Sequence, residues 1–122
     1  MARVLIIDDN AETRGFISLC LRRAGFEVLE AASGAEGIAL YHETPADALV
    51  IDVLMPEKGG LETMMELRGE FPRLKVIAIS GGFRKSTDAD LSLARTLEVD
   101  RTLAKPFAPE DLIARIKEVL AV

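Results

Sequence analysis

The chain has 122 residues, 49% apolar and 29% charged, with 15 basic residues against 20 acidic for a net charge of −5. That size suits one domain, residues 1–122, with a substantial core, and the acidic balance argues against direct nucleic-acid binding, which needs a basic footprint. No apolar run approaches the roughly 18–20 residues that span a bilayer, and Met1-Ala2-Arg3-Val4 runs straight into a strand-like segment without the features of a secretory leader, so a cytoplasmic protein without membrane contact is expected.

The single cysteine excludes an internal disulfide or a multi-cysteine metal site. Cys20 sits beside Leu21 and one turn from Ile17, which predicts buried packing. The lone His42 forms no metal cluster and suits a surface helix position. Arg84 and Lys85 make only a short basic pair.

The first apolar run is Val4–Ile7. It shows no alternation, as expected of a strand covered on both faces. Ile17, Cys20, Leu21 and Ala24 then form a helical stripe that Gly25 stops. Val28–Ala31 follows as a more polar, edge-type strand. Ser33 with Glu36 fits a capping box ahead of Ile38 and Ala39. Leu49–Ile51 is the third strand. Leu61, Met64, Met65 and Leu67 mark a third helix that ends near Gly69 and Pro72. Val76–Ile79 is the fourth strand, and Leu91, Ala94 and Leu97 fit a fourth helix. Thr102–Ala104 is the second edge-type strand. Pro109, Glu110 and Asp111 form the first turn of a fifth helix carrying Leu112, Ile113, Ile116 and Leu120. Alternation of this kind implies an α/β domain with a parallel sheet and right-handed crossovers. Strand order 2-1-3-4-5, with helices on both faces, is one common solution.

Open α/β sheets place their sites at the carboxyl ends of the strands. There the sequence puts Asp8 and Asp9, then Asp52, then Ser80 followed by Gly81-Gly82, then Lys105-Pro106. In the order 2-1-3-4-5, strands one and four flank strand three at about 4.8 Å, and Lys105 starts roughly 10 Å from Asp52 at the backbone. A lysine side chain covers much of that gap. Singly, each residue is ordinary turn, cap or surface chemistry. Together, three carboxylates, a hydroxyl and an ammonium form a site. The carboxylates repel one another, and a divalent cation relieves this. Oxygen ligands suit Mg²⁺ rather than zinc. Mg²⁺ and Lys105 would offset the charge of an incoming phosphoryl group, Ser80 would donate to one of its oxygens, and Asp52 would attack as nucleophile.

The runs Val4-Leu5-Ile6-Ile7-Asp8-Asp9-Asn10, Ile51-Asp52-Val53-Leu54-Met55-Pro56 with Gly60, Ile79-Ser80-Gly81 and Lys105-Pro106-Phe107 resemble response regulator receiver domains over essentially the whole chain. The resemblance implies a single (βα)5 flavodoxin-like fold. It implies that Asp8, Asp9, Asp52 and the Leu54 backbone carbonyl hold Mg²⁺, that Asp52 is the phosphoacceptor, that Ser80 is the switch hydroxyl, and that Lys105 precedes a cis proline bond. The phosphodonor would be a histidine kinase or histidine phosphotransfer protein, and the downstream protein target is open. Homodimerisation through the fourth and fifth helices is left undecided. The end of the chain near the close of the fifth helix, with Met1 at its start, suits a stand-alone regulator or the N-terminal receiver of a larger protein.

Three other functions compete with this reading. An aspartyl-phosphate phosphatase of the haloacid-dehalogenase type needs an acid–base Asp two residues past the nucleophile, where this chain has Leu54. A flavin or nucleotide binder needs a Gly-rich or Ser/Thr-rich loop after the first strand, where this chain has Asp8-Asp9-Asn10-Ala11-Glu12. A degenerate receiver, used only for binding, would not keep the full set of Asp8, Asp9, Asp52, Ser80 and Lys105.

Four positions depart from the family pattern. Thr102 stands where the family usually has an aromatic switch residue, so weaker rotamer coupling is expected on the surface of the fourth helix, fifth strand and fifth helix. Gly59-Gly60 replaces the more usual Asp-Gly and is read as loop flexibility. Leu54 and Gly82, two residues past Asp52 and Ser80, lack groups that orient a water, so slow-to-moderate self-dephosphorylation is expected. Leu54→Asn or Gly82→Glu should therefore change the lifetime of a phosphoryl adduct, followed by intact mass after donor removal; an unchanged lifetime would refute the assignment.

Overall fold

Strands that are apolar throughout must send alternate side chains to two covering layers. The computed structural model, which describes residues 2–53, 59–80 and 99–121, has this architecture. Strands β1 (Arg3–Ile7), β2 (Glu27–Ala31), β3 (Ala48–Asp52), β4 (Lys75–Ser80) and β5 (Arg101–Ala104) form one parallel sheet in the order β2-β1-β3-β4-β5. Helices α1 (Ala11–Arg23), α2 (Gly34–Glu43), α3 (Gly60–Glu70) and α4 (Pro109–Leu120) cover it. Here α4 is the last of the five helices expected from sequence; the one expected around Leu91, Ala94 and Leu97, and the Arg84–Lys85 pair, lie outside the described residues. No described helix is long and apolar enough to cross a membrane.

The sheet divides the core in two. Val4, Ile6, Val50, Ile77 and Ile79 pack with Ile17, Cys20 and Leu21 of α1 and with Leu112, Ile116 and Val119 of α4. Leu5, Ile7, Leu49, Ile51 and Val76 pack with Tyr41 of α2 and with Met64 and Leu67 of α3. Each fully buried Leu or Ile contributes about 1.5–3 kcal/mol by leaving water. All five residues of β3 are buried, whereas edge strands β2 and β5 carry exposed positions.

Local chemistry sets the helix ends. Asn10 caps α1, its side-chain oxygen accepting from the Thr13 N–H at 2.9 Å. Gly25, at φ +95°, ends it: the Phe26 N–H donates to the Leu21 carbonyl and the Gly25 N–H to that of Arg22, each at 3.0 Å. Ser33 caps α2 by accepting from the Glu36 N–H at 3.2 Å. Pro109 occupies the first turn of α4.

Burial departs from the apolar periodicity at three places. Ala24 is the exposed C-cap of α1 rather than part of its buried stripe. Met65 is 54% exposed, because the inward face of α3 is carried by Met64 and Leu67, a full turn apart, and Met65 is rotated about 100° from Met64. On α2 the buried positions are Gly34, Gly37 and Tyr41, while Ala39 is exposed and Ile38 half-buried. A side chain at Gly37 would run into Ile7, and one at Gly34 into Thr63. The helix is seated by backbone proximity, which an apolar-stripe reading does not detect.

Asp100 fastens the entry to β5. Its Oδ2 accepts from the Val76 N–H at 2.7 Å and from Arg68 Nη2 at 3.0 Å, and its own N–H donates to the Val76 carbonyl at 3.0 Å. Asp100→Ala strands the Val76 amide and should cost about 1–3 kcal/mol. Asp100→Asn keeps an acceptor and should cost less. Urea denaturation measures both, and equal losses would refute the assignment.

Candidate functional site

Register brings the expected site residues together. Ile7 pairs with Ile51, so Asp8 and Asp52 leave neighbouring strands at the same level. Asp52 pairs with Ile79 and Ser80 with Ala104, which puts Ser80 one step past Asp52 and Lys105 just beyond β5. Further backbone bonds hold the strand exits in line: Asp8 N–H to the Ala31 carbonyl at 3.1 Å, Val53 N–H to Ile79 at 2.8 Å, and Lys105 N–H to Ser80 at 2.8 Å.

Asp8 and Asp52 are buried, 1% and 6% exposed, while Asp9 is exposed. Each of the three offers a carboxylate oxygen, and those oxygens lie within 4.8 Å of one another. Lys105 Nζ donates to Asp8 Oδ2 at 3.0 Å and stands 3.6 Å from Asp52 Oδ2. The ammonium thus crosses two strands, as expected, but its shorter contact is to Asp8. The other oxygen of Asp8 accepts from the Asn10 N–H at 2.9 Å. Ser80 Oγ is fully buried and has no hydrogen-bond partner among the described residues. A buried hydroxyl left unpaired costs about 1–3 kcal/mol, so it is poised to donate to a group brought into the site.

Three carboxylates against one ammonium leave two negative charges at one edge of the sheet. A donor set of carboxylate oxygens fits a hard divalent cation, and no described histidine or cysteine joins the group. Leu54, the expected carbonyl ligand, and Gly82 lie outside the described residues. Thr102 is half-buried on β5 and pairs with Ala78.

Two contributors escaped the sequence reading. Arg14 of α1 donates from Nη1 to the Asp8 carbonyl at 2.9 Å while its Nε lies 3.4 Å from Glu30 of β2; no local motif signals this. The second is Gly60. Gly59 caps α3 with φ −66° and ψ 162°, ordinary extended backbone, and Gly60 opens the helix directly against the Asp52 carbonyl oxygen. Gly60 is therefore a packing feature, which corrects its reading as loop flexibility, whereas Gly59 has open space around it.

Beside the carboxylates, a groove of about 370 Å³ is lined by Glu12, Thr13, Phe16, Lys105, Pro106 and Phe107. Phe16 is 42% exposed there and stacks at a tilt on Phe107, with ring centroids 6.1 Å apart. The Lys105–Pro106 peptide is cis.

The family model for the response regulator receiver domain matches residues 4–117. The chain belongs to the response regulator receiver domain family. It is 34% identical over 120 residues to the transcriptional regulatory protein CpxR of Klebsiella pneumoniae, covering 98% of this chain and 50% of that protein. It is 33% identical over 117 residues to the transcriptional regulatory protein GltR of Pseudomonas aeruginosa, covering 96% and 48%. The receiver domain thus spans about half the length of these relatives. Among solved structures, a response regulator receiver domain protein of Clostridium thermocellum matches with a TM-score of 0.90 at 28% identity, covering 99% of this chain and 95% of that one. The chemotaxis protein CheY4 of Vibrio cholerae matches with a TM-score of 0.87 at 30% identity, covering 98% and 99%. The doubly wound order expected from sequence is the order of this fold.

A cation that binds only the folded receiver stabilises it by about 1.4 kcal/mol at ten times its Kd. Mg²⁺ should accordingly raise the melting temperature, EDTA should reverse the rise, and Asp8→Asn with Asp9→Asn should remove it. A rise that persists in the double variant would place the cation elsewhere.

Proposed function

We propose that this receiver accepts a phosphoryl group on Asp52 in a Mg²⁺-dependent reaction and so switches a protein-interaction surface. The observation that carries this reading is the gathering, at one sheet edge, of the buried Asp52 carboxylate, two further carboxylates, the Lys105 ammonium and the unpartnered Ser80 hydroxyl. Asp8, Asp9, Asp52 and the Leu54 carbonyl are the proposed metal ligands. When bound, Mg²⁺ supplies positive charge that offsets repulsion between the acceptor and the incoming phosphoryl oxygens.

The remaining roles belong to the chain. An Asp52 carboxylate oxygen forms a bond to phosphorus as the bond from phosphorus to the donor's imidazole nitrogen breaks, and the imidazole leaves with that electron pair. Lys105 moves from Asp8 toward a phosphoryl oxygen once another cation shares the charge of Asp8. Ser80 Oγ donates to a second phosphoryl oxygen and gains the partner it lacks. Transfer gives a signalling state rather than turnover of a substrate, because nothing assigned to the site activates a water.

The proposed donor is a histidine kinase or histidine phosphotransfer protein. The groove between Phe16 and Phe107 supports this, since it opens onto Lys105 and exposes aromatic surface beside the acceptor. The proposed setting is the cytoplasm, and the receiver's own acidic balance disfavours direct contact with nucleic acid.

Acetyl phosphate with Mg²⁺ should add one phosphoryl group, read by intact mass. Asp52→Asn should take none, EDTA should block the reaction, and Lys105→Ala should slow it about a hundredfold. An unmodified wild-type protein, or an adduct that survives Asp52→Asn, would overturn the reading.

A further inference from the structure

We infer that Gly60 is a positioning residue for the acceptor: its missing side chain lets the start of α3 rest on the Asp52 carbonyl and fixes where the Asp52 carboxylate points. This deepens the functional reading above and rests on it. A Cβ at Gly60 would overlap the Asp52 carbonyl oxygen and lie 2.7 Å from both the Asp52 carbonyl carbon and Val53 Cα. All three atoms are backbone, so no side-chain rotation relieves the overlap. Either the strand exit or the first turn of α3 must move.

Both are tied down. The Val53 N–H donates to the Ile79 carbonyl at 2.8 Å, which fixes the peptide just past the acceptor. On the helix side, Thr63 is fully buried, and both its N–H and its Oγ1 donate to the Gly59 carbonyl at 3.0 Å. Gly34 of α2 packs against that same Thr63 so closely that it too has no room for a side chain. The chain of contacts runs from α2 through Thr63 and Gly59 to Gly60 and the acceptor backbone. A methyl group at Gly60 therefore acts on the residue whose orientation sets the reaction, where misplacement of about 1 Å costs on the order of a hundredfold in rate.

Two other glycines separate positioning from packing. Gly37 has a comparably tight contact, but with the Ile7 side chain and not with the backbone of the acceptor. Gly59 has open space around its Cβ position and a negative φ that alanine adopts. The test is the limiting rate of phosphorylation by acetyl phosphate at saturating Mg²⁺, divided by the folded fraction from circular dichroism, for wild type, Gly60→Ala, Gly37→Ala and Gly59→Ala. Gly60→Ala should lose at least about tenfold in this normalised rate, while Gly37→Ala loses stability at unchanged rate and Gly59→Ala stays near wild type. A wild-type rate in Gly60→Ala overturns the inference alone, because the wild-type protein still takes phosphate. No adduct on the wild-type protein overturns the underlying functional reading instead. Where Gly60→Ala is partly unfolded, the comparison is repeated for all four proteins in trimethylamine oxide, which favours the compact state. A variant that stays unfolded there assigns the glycine to the fold rather than to the acceptor and also overturns the inference.

Discussion

Like charge forced together at a strand edge is the constraint on which the site depends. Hydrogen bonding in parallel register delivers Asp8 and Asp52 to the same level of adjacent strands, and no choice of rotamer takes two buried carboxylates far apart. Lys105 is the internal answer, placed 3.0 Å from one and 3.6 Å from the other. One ammonium cannot balance three carboxylates, so the edge remains an attractor for further positive charge. The same ammonium stands near both buried carboxylates, and in the proposed reaction the charge brought into the site decides between them.

Everything beneath that edge holds the strand exits still. Apolar β1, β3 and β4 are sealed on both faces, which makes register costly to change. Asn10 both starts α1 and gives its N–H to Asp8, so a helix cap doubles as a support for a charged side chain. Arg14 braces the same strand exit from one turn further along α1. On the other face, the glycine contacts of α2 and α3 bring helix backbone against Ile7, Thr63 and Asp52. The precision of the carboxylate cluster comes from hydrogen bonds on the α1 side and from close steric contact on the α3 side.

The architecture was legible in the sequence because its signals are short-range and repeated. Apolar runs such as Val4–Ile7 and Leu49–Ile51 lie inside β1 and β3, and Gly25 and Pro109 mark helix boundaries by backbone chemistry that does not depend on tertiary context. The gathering of Asp8, Asp9, Asp52, Ser80 and Lys105 was legible because strand ends in a parallel sheet share one edge. What stayed hidden depends on approach distance. Gly60 reads as part of a flexible loop, and nothing in the sequence marks Gly34 or Gly37, since a sequence records the absence of a side chain but not the neighbour that requires it. Which of Met64 and Met65 faces the core was not legible, because adjacent methionines look alike until the helix phase is fixed. Lys105 stands 3.0 Å from Asp8 and 3.6 Å from Asp52, a difference that no spacing rule resolves.

The sheet is also a partition. Among the described residues its two apolar layers share no side chains, one packed by α1 and α4 and the other by α2 and α3. The carboxylates sit on the seam where these layers meet: Asp8 is gripped by α1, and Asp52 is pressed by α3. Under the proposed phosphorylation of Asp52, a double negative charge would arrive at that seam, in contact with both walls at once. On that proposal, one chemical event would be felt on two opposite sides of the sheet.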